Sequence, residues 1–466
     1  MTRLLIITAL TLCFAVPVSA ETLTVSSVAN DGEGSLRDAL ALAAQSKTPT
    51  LVVIETMGDI EIDVTLTYGG RAPLILRGAG QSITADANFT LLGVMDGADL
   101  HISNLTFQGP GGFNINARPE GRAGKGIFVD LRDDQTGTYA LTLDQVTVAG
   151  VAGYGIHISD CDLADDCGGG GGGAGGGSDA SIKVSLTDVT VRDVGNGSFD
   201  ADGLRVDERG EGGIVFVAGN SLFTGTGADG VELDEGQAGD VVFRVDASRF
   251  EANGAYCDPD LLAAFLPSPD EGAFGDGARG KADIPGPVSG SPDDACFERE
   301  VDLYKSGSVE AYAFAIDVDD GFDVDEAGPG HILGDLNGVD IRDNLDEGAD
   351  FDEEDAGRIS ITVEGGVYQG NAEDGIKLSE EDAGGVFANL RGVSLLSNGG
   401  KGAVFEEEDD GDVVVSVRAS TALGNDDGDK TGIEVVQDDD GKGRVTLIGS
   451  NIADGMDLSG VVAFGE

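Results

Sequence analysis

Short runs of alternating apolar and polar residues, separated by turn residues, fill most of the chain. Segments such as 214–217 and 241–245 are rich in valine, isoleucine and phenylalanine, and glycine, asparagine and aspartate lie between such segments. Alternation with a period of two predicts β-strands, and the helical period of 3.6 residues is absent from these stretches. The pattern therefore predicts an all-β chain of short strands and tight turns.

The strand pattern also recurs at a fixed spacing, which is the strongest signal in the sequence. In a recurring motif, a glycine is followed by an apolar residue, any residue, a second apolar residue and then acidic residues. These glycines lie 27 residues apart in two series. Three strands and three turns fill such an interval, so each repeat predicts one rung of a solenoid, with about 12 or 13 rungs in all. The register glycines are Gly203, Gly230, Gly321, Gly348, Gly375 and Gly402.

Stacked rungs bring equivalent side chains into columns. One apolar column should point inward, and one asparagine column should form an amide ladder at a turn, because each side-chain amide can bond to the next rung. The inward column contains Phe223, Phe250, Ile341, Tyr368 and Leu395, and the amide column contains Asn253, Asn344, Asn371 and Asn398.

With these repeats, the chain resembles the right-handed parallel β-helix family, the fold of pectate lyases and many bacterial exoproteins. The segment 21–45, ETLTVSSVANDGEGSLRDALALAAQ, looks like the strand and GSLRxAL helix that open many such proteins. Leu36, Leu40 and Ala43 share one helical face and can cover the open end of the first rung. We therefore expect an all-β, right-handed parallel β-helix solenoid with a short helical cap within residues 21–50.

The N-terminus has the features of a secretory signal peptide. Arg3 precedes an apolar run, and Val18-Ser19-Ala20 offers a small-residue cleavage site after residue 20. No later segment is long and apolar enough to span a bilayer. We expect an exported monomer without a membrane span, extracellular or, in a Gram-negative host, periplasmic.

Two interruptions break the repeat spacing. A glycine-rich loop occupies 161–180, and a proline-rich insertion occupies 258–297 between coils at 51–257 and 298–466. Four cysteines in an oxidising compartment suggest two disulfides, with three possible pairings. We favour Cys161 with Cys167 and Cys257 with Cys296, because these bridges close each interruption at its base and leave the repeat spacing of the solenoid intact. Cys257 lies 27 residues after Gly230, so we expect it to occupy the next register position.

Charge narrows the choice of partners. The chain has 85 acidic and 28 basic residues, a formal net charge of -57. Such an excess of negative charge excludes nucleic acid and anionic membrane surfaces as partners.

Acidic pairs follow the register glycines and should form columns. Two unit charges one rung apart, about 4.8 Å, repel by about 1 kcal/mol even in bulk water, so the columns need cations or raised pKa values. Oxygen-only ligands favour calcium over zinc. The alternative is a solvated acidic edge that keeps the solenoid soluble. The candidate metal ligands are Asp207, Glu208, Asp234, Glu235, Asp325, Glu326, Asp352, Glu353, Glu380, Glu406 and Glu407.

Candidate catalytic residues come from the outward column two residues after each glycine. The resemblance implies calcium-dependent lyase chemistry with a basic side chain as proton acceptor, which only Lys377 beside Asp350 and Asp323 can imitate. The two aspartates would also lie near the ~5 Å separation of a retaining glycosidase. The other interpretation is an exposed mixed-charge column in which Arg205 and Glu232 form a salt bridge.

The sequence favours a binding function over an enzymatic one. The polygalacturonase and pectate lyase motifs are not recognisable, and the three histidines, His101, His157 and His331, lack a nucleophile partner. We expect a cation-holding binding or structural module, carbohydrate-directed or adhesin-like, with a polysaccharide or cell-surface glycan as its partner. The alternative is a polysaccharide lyase or glycoside hydrolase.

Overall fold

The structure, a computed structural model, describes residues 20–113, 123–161, 176–198, 200–254, 298–303, 309–315, 319–426, 430–438 and 440–465. Within these ranges the chain is almost entirely β-structure, with one α-helix, α1 (Leu36–Ala43). No helix in the described ranges has the length and hydropathy needed to cross a membrane.

The strands are short because turn residues follow each apolar run. In the N-terminal half they are β1 (Glu21–Val25), β2 (Thr50–Ile54), β3 (Ile60–Glu61), β4 (Leu66–Tyr68), β5 (Leu74–Thr84), β6 (Leu92–Val94), β7 (Leu100–Gln108), β8 (Ile127–Asp130), β9 (Thr136–Ala149), β10 (Ile156–Ser159), β11 (Asp179–Thr187), β12 (Thr190–Arg192), β13 (Leu204–Glu208), β14 (Ile214–Gly219), β15 (Leu222–Thr224), β16 (Val231–Glu235), β17 (Asp240–Asp246) and β18 (Arg249–Glu251). In the C-terminal half they are β19 (Glu298–Leu303), β20 (Val309–Ala315), β21 (Phe322–Ala327), β22 (His331–Asn337), β23 (Asp340–Arg342), β24 (Ala349–Glu354), β25 (Ile359–Glu364), β26 (Val367–Gln369), β27 (Lys377–Glu380), β28 (Val386–Arg391), β29 (Ser394–Leu396), β30 (Ala403–Glu407), β31 (Val414–Arg418), β32 (Thr421–Leu423), β33 (Ile433–Gln437), β34 (Gly443–Ile448), β35 (Asn451–Ile452), β36 (Met456–Ser459) and β37 (Val461–Gly465).

Parallel pairing between successive rungs builds the solenoid. Strands β4, β6, β8, β10, β13, β16, β21, β24, β27, β30, β33 and β36 form a twelve-stranded sheet, and a 23-stranded sheet forms the remaining faces. Each residue pairs with its equivalent one rung later, as Leu204 does with Val231 and Asp323 with Asp350. The predicted parallel β-helix is therefore confirmed.

The predicted inward column forms the centre of the core. Phe223 pairs with Phe250, and the register continues through Ile341 and Tyr368 to Leu395, with every side chain fully buried. The rings of Phe223 and Phe250 stack with centroids 5.2 Å apart. Full burial of one such side chain stabilises the fold by roughly 1.5–3 kcal/mol, so the column is a main source of stability.

The predicted amide ladder is also present. The Nδ2 group of Asn344 donates to Oδ1 of Asn371 at 2.9 Å, and the same bond joins Asn371 to Asn398 at 3.1 Å. The ladder begins at Asn253 and extends one rung beyond the prediction, to Asn425. Because these side chains are buried, each bond satisfies polar groups that would otherwise be costly to desolvate.

Helix α1 caps the N-terminal end, as predicted. Its buried face contains Leu36, Leu40 and Ala43, and it packs against β1, β2 and β4. Ser35 accepts a hydrogen bond from the backbone N–H of Asp38 at 3.2 Å and is the N-cap. The helix therefore covers the backbone edge that the first rung would otherwise expose.

The register around the second interruption differs from the prediction. Strand β16 pairs directly with β21, β17 with β22 and β18 with β23, so no rung intervenes between Gly230 and Gly321. The expected register position at Cys257 is therefore wrong. Strands β19 and β20 form an antiparallel hairpin apart from the solenoid sheets. A strand pattern alone does not distinguish a hairpin from a solenoid rung, which explains the error.

Candidate functional site

The acidic pairs that follow the register glycines lie on opposite sides of the twelve-stranded sheet. In β21, Phe322 and Val324 are fully buried in the core, and Asp325 alternates with them on the outer side. Glu326 follows on the inner side and is 1% exposed. Successive side chains of a strand point to opposite faces, so the two members of a pair cannot share one ligand sphere.

Both columns are in register, as the spacing predicted. The outer column contains Asp207, Asp234, Asp325, Asp352, Ser379 and Glu406, and the inner column contains Glu208, Glu235, Glu326, Glu353, Glu380 and Glu407. We call the inner column the glutamate ladder. Its members are at most 1% exposed, so the alternative of a solvated edge does not describe them.

A glycine makes room for the carboxyl group four residues after each of the four C-terminal ladder glutamates, Glu326, Glu353, Glu380 and Glu407. A Cβ atom at Gly357 would overlap Oε1 of Glu353 and the backbone oxygen of Gly330 on the preceding rung. The same relation holds between Glu380 and Gly384. The glutamate side chain therefore folds over the turn that follows its strand.

Burial and neighbouring carboxyls change the acidity of the ladder. Burial, followed by contacts with Glu235 and Glu353, raises the pKa of Glu326 to about 11. Burial also raises the pKa of Glu353, but only to about 7, because Glu326 and Glu380 are hydrogen-bonded to it and lower it. The ladder thus contains two kinds of carboxyl group.

On the outer side, Arg205 is the centre of a buried ion network. Its guanidinium donates to Asp207 at 2.7 Å, to Asp234 at 3.1 Å and to Glu232 on the next rung. Arg209, 1% exposed, also pairs with Asp234. The predicted salt bridge of Arg205 with Glu232 is confirmed, but the expected exposure is wrong, since both residues are buried.

His157 extends this network toward the N-terminal rungs. Its Nε2 atom lies 2.6 Å from Oδ2 of Asp207, and Lys125 contacts its Nδ1 atom. Burial and Lys125 lower the pKa of His157 to about 4, although Asp207 opposes the shift. Burial alone would raise the pKa of Asp207, but Arg205 and His157 together hold it below its usual range.

Three groups of acids bring carboxyl oxygens within 4.8 Å of one another in the described residues: Asp200, Asp202 and Glu232; Glu232, Asp323 and Asp325; Asp320, Glu347 and Asp350. Glu232, which the first two groups share, is already bound to Arg205. In the third group every residue is buried, and Oδ1 of Asp320 has no hydrogen-bond partner.

Lys377 contacts this third group. Its Nζ atom lies 2.9 Å from Oδ2 of Asp350 and 3.7 Å from Oε1 of Glu347. Asp350 raises the pKa of Lys377 above its ordinary value, an effect that outweighs burial. A lysine with a raised pKa stays protonated, which is unfavourable for the general-base role considered from the sequence. Asp323 lies on the rung below Asp350, in the second acidic group.

Sequence reasoning missed the acids that immediately precede the register glycines. Asp202, Asp229, Asp320 and Glu347 occupy this position, and they reach the outer face from the turn that enters each strand. Their signal was visible as an acid before five of the six register glycines; Lys401 precedes the sixth, Gly402. Arg209 was missed because it occurs in one rung only, so no column marked it.

Several expectations concern residues outside the described ranges. The signal peptide and the insertion at 258–297 lie outside them. So do Cys167, Cys257 and Cys296, whereas Cys161 is described and buried. Both disulfide pairings therefore stay predictions.

Comparison with known proteins gives no family: no protein-family model and no curated protein matches the chain. The fold and the site define its class, a parallel β-helix with an acidic outer face and a buried ladder of glutamates.

Proposed function

We propose that the protein is an exported binding module of the parallel β-helix class that holds calcium at Asp320, Glu347 and Asp350 and is directed at carbohydrate. The observation that carries this proposal is the convergence of three buried carboxylates around Asp320, whose Oδ1 atom has no hydrogen-bond partner. Buried carboxylates need a counter-charge, and oxygen-only ligands suit a hard divalent cation.

Charge supports one divalent ion at this position. Burial and the neighbouring carboxylates of Glu347 and Asp350 raise the pKa of Asp320 well above its ordinary value, which favours a proton there that a cation would displace. With all three groups ionised the site carries three negative charges, and the ammonium group of Lys377 offsets one of them. Two uncompensated charges remain in a buried environment, which a single calcium ion neutralises.

The shape of the twelve-stranded sheet supports a carbohydrate partner. The parallel strands of twelve rungs align equivalent side chains along one axis, so the sheet presents a long, regular surface to an extended polymer. The chain's net charge of -57 repels anionic polymers, and a bound cation reduces this repulsion locally.

Calcium titration calorimetry at low salt tests the cation site. We expect saturable binding to the mature chain and its loss in Asp350→Asn and Asp320→Asn. Asp335→Asn, at a half-exposed aspartate on the 23-stranded sheet, is the control and should bind like the wild type. Binding that is absent from the wild type, or unchanged in both site variants, contradicts the proposal.

A glycan panel tests the ligand class. The mature chain is incubated with pectins, alginates and neutral glycans, with calcium and with chelator. Calcium-dependent retention of a glycan without cleavage supports a binding module. New reducing ends or unsaturated uronides would instead establish the enzymatic alternative.

A further inference from the structure

The glutamate ladder contains buried oxygens that no ordinary donor satisfies. Both carboxyl oxygens of Glu326, Glu353 and Glu380 lack a hydrogen-bond donor among the described residues. Their contacts are with one another, because the carboxyl group of Glu353 lies in hydrogen-bond contact with those of Glu326 and Glu380. Each of the three residues is at most 1% exposed, so bulk water does not reach these oxygens.

Ionised carboxylates cannot satisfy this arrangement. A carboxylate only accepts hydrogen bonds, whereas a protonated carboxyl group has one O–H donor. Two facing carboxylates would repel each other in a desolvated environment, and each would be left unpaired. A proton on every second carboxyl group reduces both penalties, because each acid then donates its single O–H to one ionised neighbour and no two carboxylates face each other.

We propose that the glutamate ladder is a proton-binding chain in which the carboxylic acids of Glu208, Glu326 and Glu380 alternate with, and donate to, the carboxylates of Glu235 and Glu353. The ligand is the proton, and it takes the position between rungs that the side-chain amide hydrogen takes in the asparagine ladder.

The acidity of each member agrees with this alternation. Burial and carboxyl neighbours raise the pKa of Glu208 to about 10, of Glu326 to about 11 and of Glu380 to about 9. The pKa values of Glu235 and Glu353 reach only about 7, because hydrogen-bond contacts with the glutamates on both sides lower them against the effect of burial.

Other charged groups lie beside the ladder, and they are compatible with alternating protonated and ionised glutamates. Asp160 and Arg209 lie at its N-terminal end, beside Glu208 and Glu235. Asp355 and Asp382 lie in the turns beside Glu353 and Glu380, and they raise rather than lower their pKa values.

The C-terminal end shows that an amide fits the same position. Gln437 pairs with Glu407 in the strand register, and its Nε2 group donates to Oε2 of Glu407 at 2.6 Å. Asp409 and Asp410 lie near this end. A glutamine therefore mimics a protonated glutamate here, which makes Glu→Gln substitutions at the acid positions conservative.

The alternation has a defined consequence for stability. Folding raises these pKa values above the ordinary 4.5, so the folded chain binds more protons than the unfolded chain. Stability from the ladder is therefore present at low pH and is lost as the pH rises, first through about 7 and then through about 9 to 11.

Infrared spectroscopy and thermal melting in the presence of chelator test the proposal. We expect the carbonyl stretching band of protonated carboxylic acid in the wild type at pH 8, and a weaker band in Glu326→Gln/Glu380→Gln, because Glu208 and the buried acids Asp323 and Asp352 of the outer face, whose pKa values are also raised, still contribute to it. The double variant should also lose much of the decrease in melting temperature between pH 6 and pH 10. Glu354→Gln, at an exposed glutamate next to the ladder, is the control and should match the wild type in both measurements.

The position of the substitution provides a second criterion. Glu353→Gln removes the carboxylate that accepts from both neighbours, so it should lower the melting temperature at pH 7 by more than Glu380→Gln does. The proposal fails if the wild type has no protonated-acid band, a measurement that does not depend on any variant folding. It also fails if metal analysis finds divalent ions that the ladder variants lose, whereas loss of calcium only from Asp320→Asn concerns the outer site.

Discussion

Arg205 donates to the carboxylate of Glu232 on the next rung, and both side chains are buried. The same guanidinium also binds Asp207 and Asp234, so one cation compensates three carboxylates of two adjacent strands. Charge compensation of this kind explains how acidic residues of adjacent rungs pack at strand spacing in a buried environment.

Replacement of Arg205 should therefore be strongly destabilising. Arg205→Leu leaves several buried carboxylates without their cation, and breaking a buried pair in this way costs about 3–5 kcal/mol. Denaturant unfolding of the protein measures the change. Arg244→Leu removes an exposed ion pair with Asp246 and should cost far less stability, because water and salt screen a surface pair. Equal effects of the two substitutions would show that the network contributes no more than a surface pair.

A side chain at the turn residue Gly357 should destabilise the fold. Gly357→Ala places a methyl group against Oε1 of Glu353 and the backbone oxygen of Gly330, so the ladder or the turn must move. We expect a loss of about 1–3 kcal/mol, typical of overpacking, in the same unfolding assay. Gly219→Ala is the matched control, because its added methyl group meets no atom within 4 Å. A neutral Gly357→Ala would mean that the glutamate side chain does not occupy the turn.

His157 should remain neutral in the folded protein well below its ordinary pKa. The pKa is lowered from 6.5 to about 4 on folding, so the unfolded chain binds more protons between these values. The contribution of His157 to stability is therefore complete above pH 6.5 and is lost as the pH falls toward 4, by up to roughly 3 kcal/mol.

A ring-resonance NMR titration checks this value directly. The imidazole resonances of His157 should stay in the neutral form until the pH approaches 4, with the exposed His101 as a reference in the same spectrum. The glutamate ladder stabilises the fold as the pH falls through part of the same range, which opposes the effect of His157. Melting temperatures of the wild type and His157→Gln are therefore compared at each pH to isolate the contribution of His157. A His157 titration at or above pH 6.5 would contradict the prediction.

The solenoid and its columns could be predicted from the spacing of residues along the chain. A repeat of 27 residues places equivalent side chains one above another whatever their chemistry, so the phenylalanine stack, the amide ladder of Asn344 and Asn371, and the register of Asp325 over Asp352 followed from spacing alone. Predicting each of these columns requires only the length of the repeat and the alternation of side chains along a strand.

Which carboxyl groups are buried could not be predicted from the spacing, because it depends on the three-dimensional path of the chain. Glu353 lies at the end of a strand, and its burial depends on how the following turn passes over it and on the room that Gly357 leaves. The group around Asp320 joins acids of two rungs with Lys377 of a third, and the Arg209 contact occurs in one rung only. Such contacts depend on the path of the chain between strands, which a repeat period does not specify.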